Sequence, residues 1–149
     1  VLPPALVPAF SQRRAVDVRH SEVSTQAVMA EFMAAGHFQR HIRRMRRAAL
    51  SRRNTLLDGW PTTILGVGDL PAVSAGLHLT VKVESIDRER QLIEQAARVD
   101  VEISGLSHYW LPDSTTPQDQ RAGLVLGFAA VPEAAIKAAL ARLQQAWRA

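Results

Sequence analysis

Apolar and polar positions along this chain follow two periods, and the switch between them organises the sequence. Phe38, Ile42, Met45, Ala49 and Leu56 recur at spacings of four, three, four and seven. On a 3.6-residue period these positions form one apolar stripe, which predicts a long helix starting near His37 and stopping at Asp58-Gly59. A shorter helix, capped by Ser24, is predicted before it, through Gln26, Met29, Phe32 and Met33 to the breaker Gly36. Upstream, Pro3, Pro4, Pro8 and the polar stretch Ser11 to Arg19 read as a connecting segment with at most a short helix.

After Trp60-Pro61 and a loop holding Gly66, Gly68 and Pro71, the period drops to two. Leu77 to Val83 alternates strictly, as a strand with one face on a core does. Ser85 or Asp87 can cap a helix that buries Leu92, Ile93, Ala96 and Ala97, and Val99 to Ile103 alternates again, so the outline is β-α-β. Leu124 to Ala130 is continuously apolar, the pattern of a strand covered on both faces. Pro132, at the first turn with Glu133, opens a last helix with Ile136, Ala139, Leu140, Leu143 and Trp147 facing inward. The sum predicts a small α/β (α+β) sandwich: a three- to four-stranded sheet with helices mainly on one face.

Composition narrows what such a fold can do. The 149 residues are 47% apolar, enough for one real core, and contain no cysteine. Thiol catalysis, cysteine-ligated zinc and iron–sulfur clusters are thereby excluded. The longest apolar run, Leu124 to Pro132, is far short of the roughly 20 residues of a membrane span. No signal peptide is apparent, and a cytoplasmic location is expected. The opening Val1-Leu2-Pro3-Pro4, with no Met, reads as the start of a piece of a longer protein.

The net charge of +4 is local. Arg40, Arg43, Arg44, Arg46, Arg47, Arg52 and Arg53 fall within 14 residues that hold no acid; without them 11 basic residues face 14 acidic ones, a balance of −3. As a nucleic-acid element the segment lacks interleaved aromatics and helix-turn-helix spacing, and Arg46, Arg52 and Arg53 flank the apolar stripe, so a solvated or protein-facing basic helix is the expectation. His37 and His41 stand one turn apart, yet without an HExxH glutamate or a nearby third ligand they predict no metal site. No nucleophile elbow, Walker loop or G-x-G-x-x-G is present; Gly66-Val67-Gly68 reads as a plain turn. The two lysines, Lys82 and Lys137, lie in no pocket-like context. No catalytic residue is expected.

An ordered set of words nevertheless carries a family resemblance. Val23-Ser24-Thr25-Gln26-Ala27, the run Glu31 to Arg46, Arg52-Arg53, Gly76-Leu77-His78-Leu79, Leu106-Ser107-His108-Tyr109 and Leu126-Gly127-Phe128-Ala129 resemble MocR-type regulators of the GntR family. These proteins join an N-terminal winged-helix DNA-binding domain to a domain resembling fold-type I aminotransferases, which use pyridoxal phosphate. The resemblance implies that residues 1–35 are a connecting segment and helix of the large domain and 36–149 the small, C-terminal domain. The cofactor lysine, the phosphate-binding residues and the DNA-binding domain would lie upstream. Pyridoxal phosphate would serve the intact protein, with none bound covalently to this chain. Thr25 and Gln26 would sit near the active site or an interface, and His37, Arg40, His41 and Arg44 at an interface of a homodimer. DNA would be reached only through the winged helix. The function implied is effector sensing and dimerisation in a transcriptional regulator; the alternative is the small domain of a genuine aminotransferase. Three positions depart from the aminotransferase pattern. Val125 stands where a substrate-carboxylate arginine is common, with Arg121 four residues earlier, Ala49 replaces a tyrosine, and Asp100 replaces a glycine.

Overall fold

The computed structural model describes residues 2–19, 21–61, 64–71, 76–111 and 114–148. Five helices, α1 (Val7–Asp17), α2 (Val23–Ala34), α3 (His37–Gly59), α4 (Ile86–Ala97) and α5 (Glu133–Ala146), accompany three strands, β1 (His78–Lys82), β2 (Ser104–Gly105) and β3 (Gly123–Gly127). The chain divides into two units, Val1–Arg43 and Arg44–Ala149.

In the first unit none of the described residues is buried. The segment expected to hold at most a short helix forms α1, eleven residues with Pro8 in the first turn, where its missing N–H costs nothing. α2 starts one residue before Ser24: Glu22 is its N-cap, with no side-chain hydrogen bond, so Ser24 is not the cap. Gly36, at φ +76, ends the helix in the left-handed conformation that glycine adopts without strain. Apolar side chains point out all round α2, with Val28, Met29 and Met33 each about half exposed or more. A helix apolar on every side belongs to an interior.

The second unit supplies the core. Its sheet is antiparallel in the order β1-β3-β2, with Leu79 opposite Leu126, Val81 opposite Leu124, and Gly105 also opposite Leu124. β1 and β2 both run against β3 and so run parallel to each other, with β3 inserted between them. The predicted β-α-β is therefore a split one. Leu79, Val81 and Leu124 share a core with Leu92, Ile136 and Leu140 of the helices. The indole of Trp147 donates to the Leu92 carbonyl at 3.1 Å and pins α5 to α4. A guanidinium nitrogen of Arg52 donates to the Ala129 carbonyl, joining α3 to the turn after β3. Glu133, at the start of α5, has its carboxyl held below the usual range, first by its own backbone N–H, then by the Ser51 hydroxyl and the Arg52 charge.

Two strands differ from the pattern reading. Val99 to Ile103 is not a strand; pairing begins at Ser104. The cause is the end of α4, where Val99 and Val101 N–H both donate to the Ala96 carbonyl, Asp100 N–H donates to Ala97, and Asp100 takes φ +54. The chain thus folds back over the helix terminus before it extends. β3 is not covered on both faces either. Leu124 and Leu126 are buried, Val125 is half-buried and Gly127 is exposed, so an unbroken apolar run hides a strand with one open face. Ala97, expected inward, is exposed, and Glu89 takes a place on the buried face of α4.

Glu89 is 2% exposed. Its carboxylate accepts the Gly123 N–H at 2.7 Å, the Ser107 N–H at 3.2 Å and the Ser107 hydroxyl at 2.5 Å. Glu89→Gln turns one acceptor oxygen into a donor facing donors, and urea unfolding is expected to show a loss of about 1–3 kcal/mol. Asp100→Gly relieves the left-handed residue and is expected to raise stability by up to about 1 kcal/mol in the same measurement.

Candidate functional site

The open face of the sheet is where side chains remain available for chemistry. Alternation on β1 places His78, Thr80 and Lys82 there, and on β3 Val125 and Gly127. Val125 lies at the centre, opposite Thr80 on one side and Ser104 on the other. An arginine at this position would project from the middle of the face; valine offers only an apolar surface. Arg121 does not substitute for it. Its Nε donates to the Thr116 carbonyl at 2.7 Å and its Nη2 to the Ser114 carbonyl at 2.5 Å, so the fork that would grip a carboxylate instead holds the loop before β3.

Beside this face lies a cavity of about 490 Å³ within the second unit. It occupies the space where a longer β2 would continue along β3. Hydrogen bonds from Phe128 N–H to the Leu77 carbonyl and from Val83 N–H to the Ala122 carbonyl show that even-numbered residues of this stretch bond towards β1. The odd-numbered ones therefore turn their N–H and C=O groups the other way. Gly123 meets Glu89 there and Val125 stands opposite Ser104, but on that side no strand residue stands opposite Gly127. Leu126, Phe128, Ile136 and Leu140 form the apolar walls; Asp100, Glu102, Ser104, His78, Tyr109 and Arg142 contribute polar groups.

The residues singled out in the sequence lie elsewhere. Thr25 and Gln26 are exposed in the first turn of α2, where the Gln26 N–H donates to the Glu22 carbonyl at 3.3 Å. The His37 ring stacks on Phe32 with centroids 5.6 Å apart, and its Nδ1 lies 3.3 Å from a guanidinium nitrogen of Arg40. His41 and Arg44 are exposed further along α3. The structure thus joins His37 to Arg40 and leaves Thr25 and Gln26 on a separate helix. No group of three or more His, Asp or Glu side chains suited to a metal occurs among the described residues. Lys82 is exposed, with its ammonium on the Gln120 carbonyl at 2.8 Å, and Lys137 is exposed on α5. Neither has the desolvated setting that Schiff-base chemistry requires of a lysine.

Sequence reasoning passed over Glu89 and the cavity. The signal for Glu89 was present, since it precedes Leu92 by three residues and Ala96 by seven and so shares their helical face. The cavity had no such signal, because it depends on where Asp100 turns the chain.

Solved structures place the architecture among pyridoxal phosphate aminotransferases. The multiple substrate aminotransferase of Thermococcus profundus superposes with a TM-score of 0.76 at 20% identity, over 97% of this chain and 35% of its own. LysN, an α-aminoadipate aminotransferase from Thermus thermophilus, gives 0.74 at 17% identity, over 99% of this chain and 36% of its own. The fold is that of the aminotransferase small domain. Curated relatives in sequence are of another kind. The HTH-type transcriptional regulators YdeL and YhdI of Bacillus subtilis, both uncharacterized, are 29% identical over 126 residues and 22% identical over 147 residues. The alignments take in 83% and 99% of this chain but only 26% and 30% of those regulators. No family model matches. Regulator relatives on an aminotransferase fold bear out the resemblance to the aminotransferase-like C-terminal part of MocR-type regulators. No helix among the described residues is long and apolar enough to cross a membrane.

If Arg121 is a clamp for its loop and not a ligand-binding group, Arg121→Ala frees the Ser114 and Thr116 carbonyls. Stability is expected to fall by about 1 kcal/mol, with faster amide hydrogen exchange confined to residues 114–121.

Proposed function

We propose that this chain is the effector-sensing and dimerisation part of a pyridoxal phosphate-dependent transcriptional regulator. The observation that carries the reading is the conjunction of regulator relatives with a small-domain face whose centre is Val125. In an aminotransferase the common arginine at that place grips the substrate carboxylate, and Arg121 is tied to its own loop. A face built this way can close over a cofactor held elsewhere without selecting an amino acid through a bidentate pair.

On this reading residues 1–35 belong with the large domain and 36–149 form the small domain. The exposure of α1 and α2, against the packed core of the second unit, supports a first part whose packing partner lies elsewhere in the protein. Thr25 and Gln26 then stand near the active site or an interface, and His37, Arg40, His41 and Arg44 at the interface of a homodimer. The winged helix carries the DNA contact. Ligand would shift operator binding by contacting two conformations of this domain unequally, as coupling requires.

The test uses the full-length protein. Adding pyridoxal phosphate is expected to produce the visible absorbance of bound cofactor and to change operator retention in a gel-shift assay, with no keto acid formed from amino acids. Absence of the absorbance change ends the cofactor-sensing reading. Turnover of amino acids, with no effect on DNA, would establish the alternative: the small domain of a genuine aminotransferase, the class of the solved neighbours.

A further inference from the structure

The cavity beside Gly127 shares His78, Val125 and Gly127 with the open sheet face on which the reading above rests, and extends from them to core side chains of α5. We infer that it is a binding site for a small organic cation: a protonated amine on a compact apolar body.

Three features carry this. First, the walls are core side chains, Leu126, Phe128, Ile136 and Leu140, and the volume of about 490 Å³ lies within the range of small-molecule sites. An apolar body of six to ten carbons is removed from water there. Second, the polar lining is biased towards a cation. Asp100 and Glu102 supply two carboxylates beside the Arg142 guanidinium and the His78 ring, and neither carboxylate nor the guanidinium forms an ion pair among the described residues. Trp60 and Tyr109 add aromatic rings to the same lining, and their faces attract cations at short range. Third, Gly127 stands opposite His78 on the β1 side but has no strand residue on the β2 side, towards which odd-numbered residues of β3 turn their carbonyls, so its carbonyl is placed to accept an N–H from the ligand.

The charges give the proposal its sign. Removing a carboxylate must weaken binding and removing the guanidinium must strengthen it; a purely apolar cavity would respond to neither. A tertiary amine, N,N-dimethylphenethylamine, serves as the probe because it cannot condense with an aldehyde. A positive result therefore owes nothing to the cofactor, and a failure here leaves the regulator reading standing.

Calorimetric titration of the full-length protein with this amine is expected to show saturable binding. Glu102→Gln is expected to weaken it about two- to five-fold, as loss of one exposed charge pair does. Arg142→Gln is expected to tighten it by a similar factor. Ala139→Phe, which fills the cavity from α5, is expected to abolish binding, and circular dichroism confirms that this variant is folded. The proposal is overturned by absence of binding, by equal binding of the anionic analogue 3-phenylpropionate, or by binding that survives in folded Ala139→Phe. If Ala139→Phe does not fold, the opposite signs of Glu102→Gln and Arg142→Gln decide: both variants unchanged would overturn it.

Discussion

The second unit turns on one buried carboxylate. Glu89 is withdrawn from water on α4 and accepts from β3, through Gly123, and from the turn after β2, through Ser107. A buried carboxylate is costly unless donors replace its hydration, and here the donors come from different parts of the chain. Satisfying it therefore fixes the distance from helix to sheet. Two glycines lie beside this carboxylate, each with its own steric cause. A Cβ on Gly105 would collide with the Glu89 carboxylate, and one on Gly123 would lie 2.7 Å from the Val81 carbonyl. Gly105 is thus required by the carboxylate itself and Gly123 by the close approach of β1 and of Leu106.

That clamp also shapes the open face of the sheet. Gly123 begins β3 and Ser107 lies in the turn Leu106–Tyr109, so Glu89 sets both the strand that presents Val125 and the segment that brings Tyr109 to the cavity. The cavity itself arises on the other flank of α4. There Asp100 turns the chain over the helix end, and pairing with β3 waits until Ser104. One helix thus governs both sites, through its buried acid and through its C-terminus.

What could be read from the sequence follows from how local each determinant is. The 3.6-residue stripe of α3 and the alternation of β1 are properties of a few consecutive side chains, and both elements form within a residue or two of the predicted bounds. Of the two caps the sequence offers for α4, Ser85 and Asp87, Ser85 is the one used, its hydroxyl accepting the Arg88 N–H at 3.2 Å; a cap needs only the residues beside it. Where packing decides, the pattern misleads. Val99 to Ile103 alternates because Val101 and Ile103 turn inward, and inward alternation does not require a strand partner. The run through β3 is apolar on both faces although one face is open, which is what a strand needs if that face is to be covered by something beyond this chain. Glu89 was hidden by the habit of assigning charge to solvent.

The arginines show how a single number can mislead about partners. The +4 charge describes seven residues of α3, and those seven divide by position. Near the C-terminal end of the helix Arg52 and Arg53 are half-buried, and Arg52 spends its guanidinium on a backbone carbonyl at the turn after β3. It acts there through a single guanidinium N–H, while its charge, after Glu133's own backbone N–H and the Ser51 hydroxyl, also helps hold the Glu133 carboxyl below the usual range. Towards the N-terminal end Arg40, Arg43, Arg44, Arg46 and Arg47 are exposed, on the part of the helix where Phe38 and Ile42 are only half covered and Met45 is exposed. Basic and apolar surface occur together along that half, the composition of an interface rim beside its centre more than of a groove-reading helix. The proposed interface residues lie on this half, where the apolar stripe of α3 is only half covered.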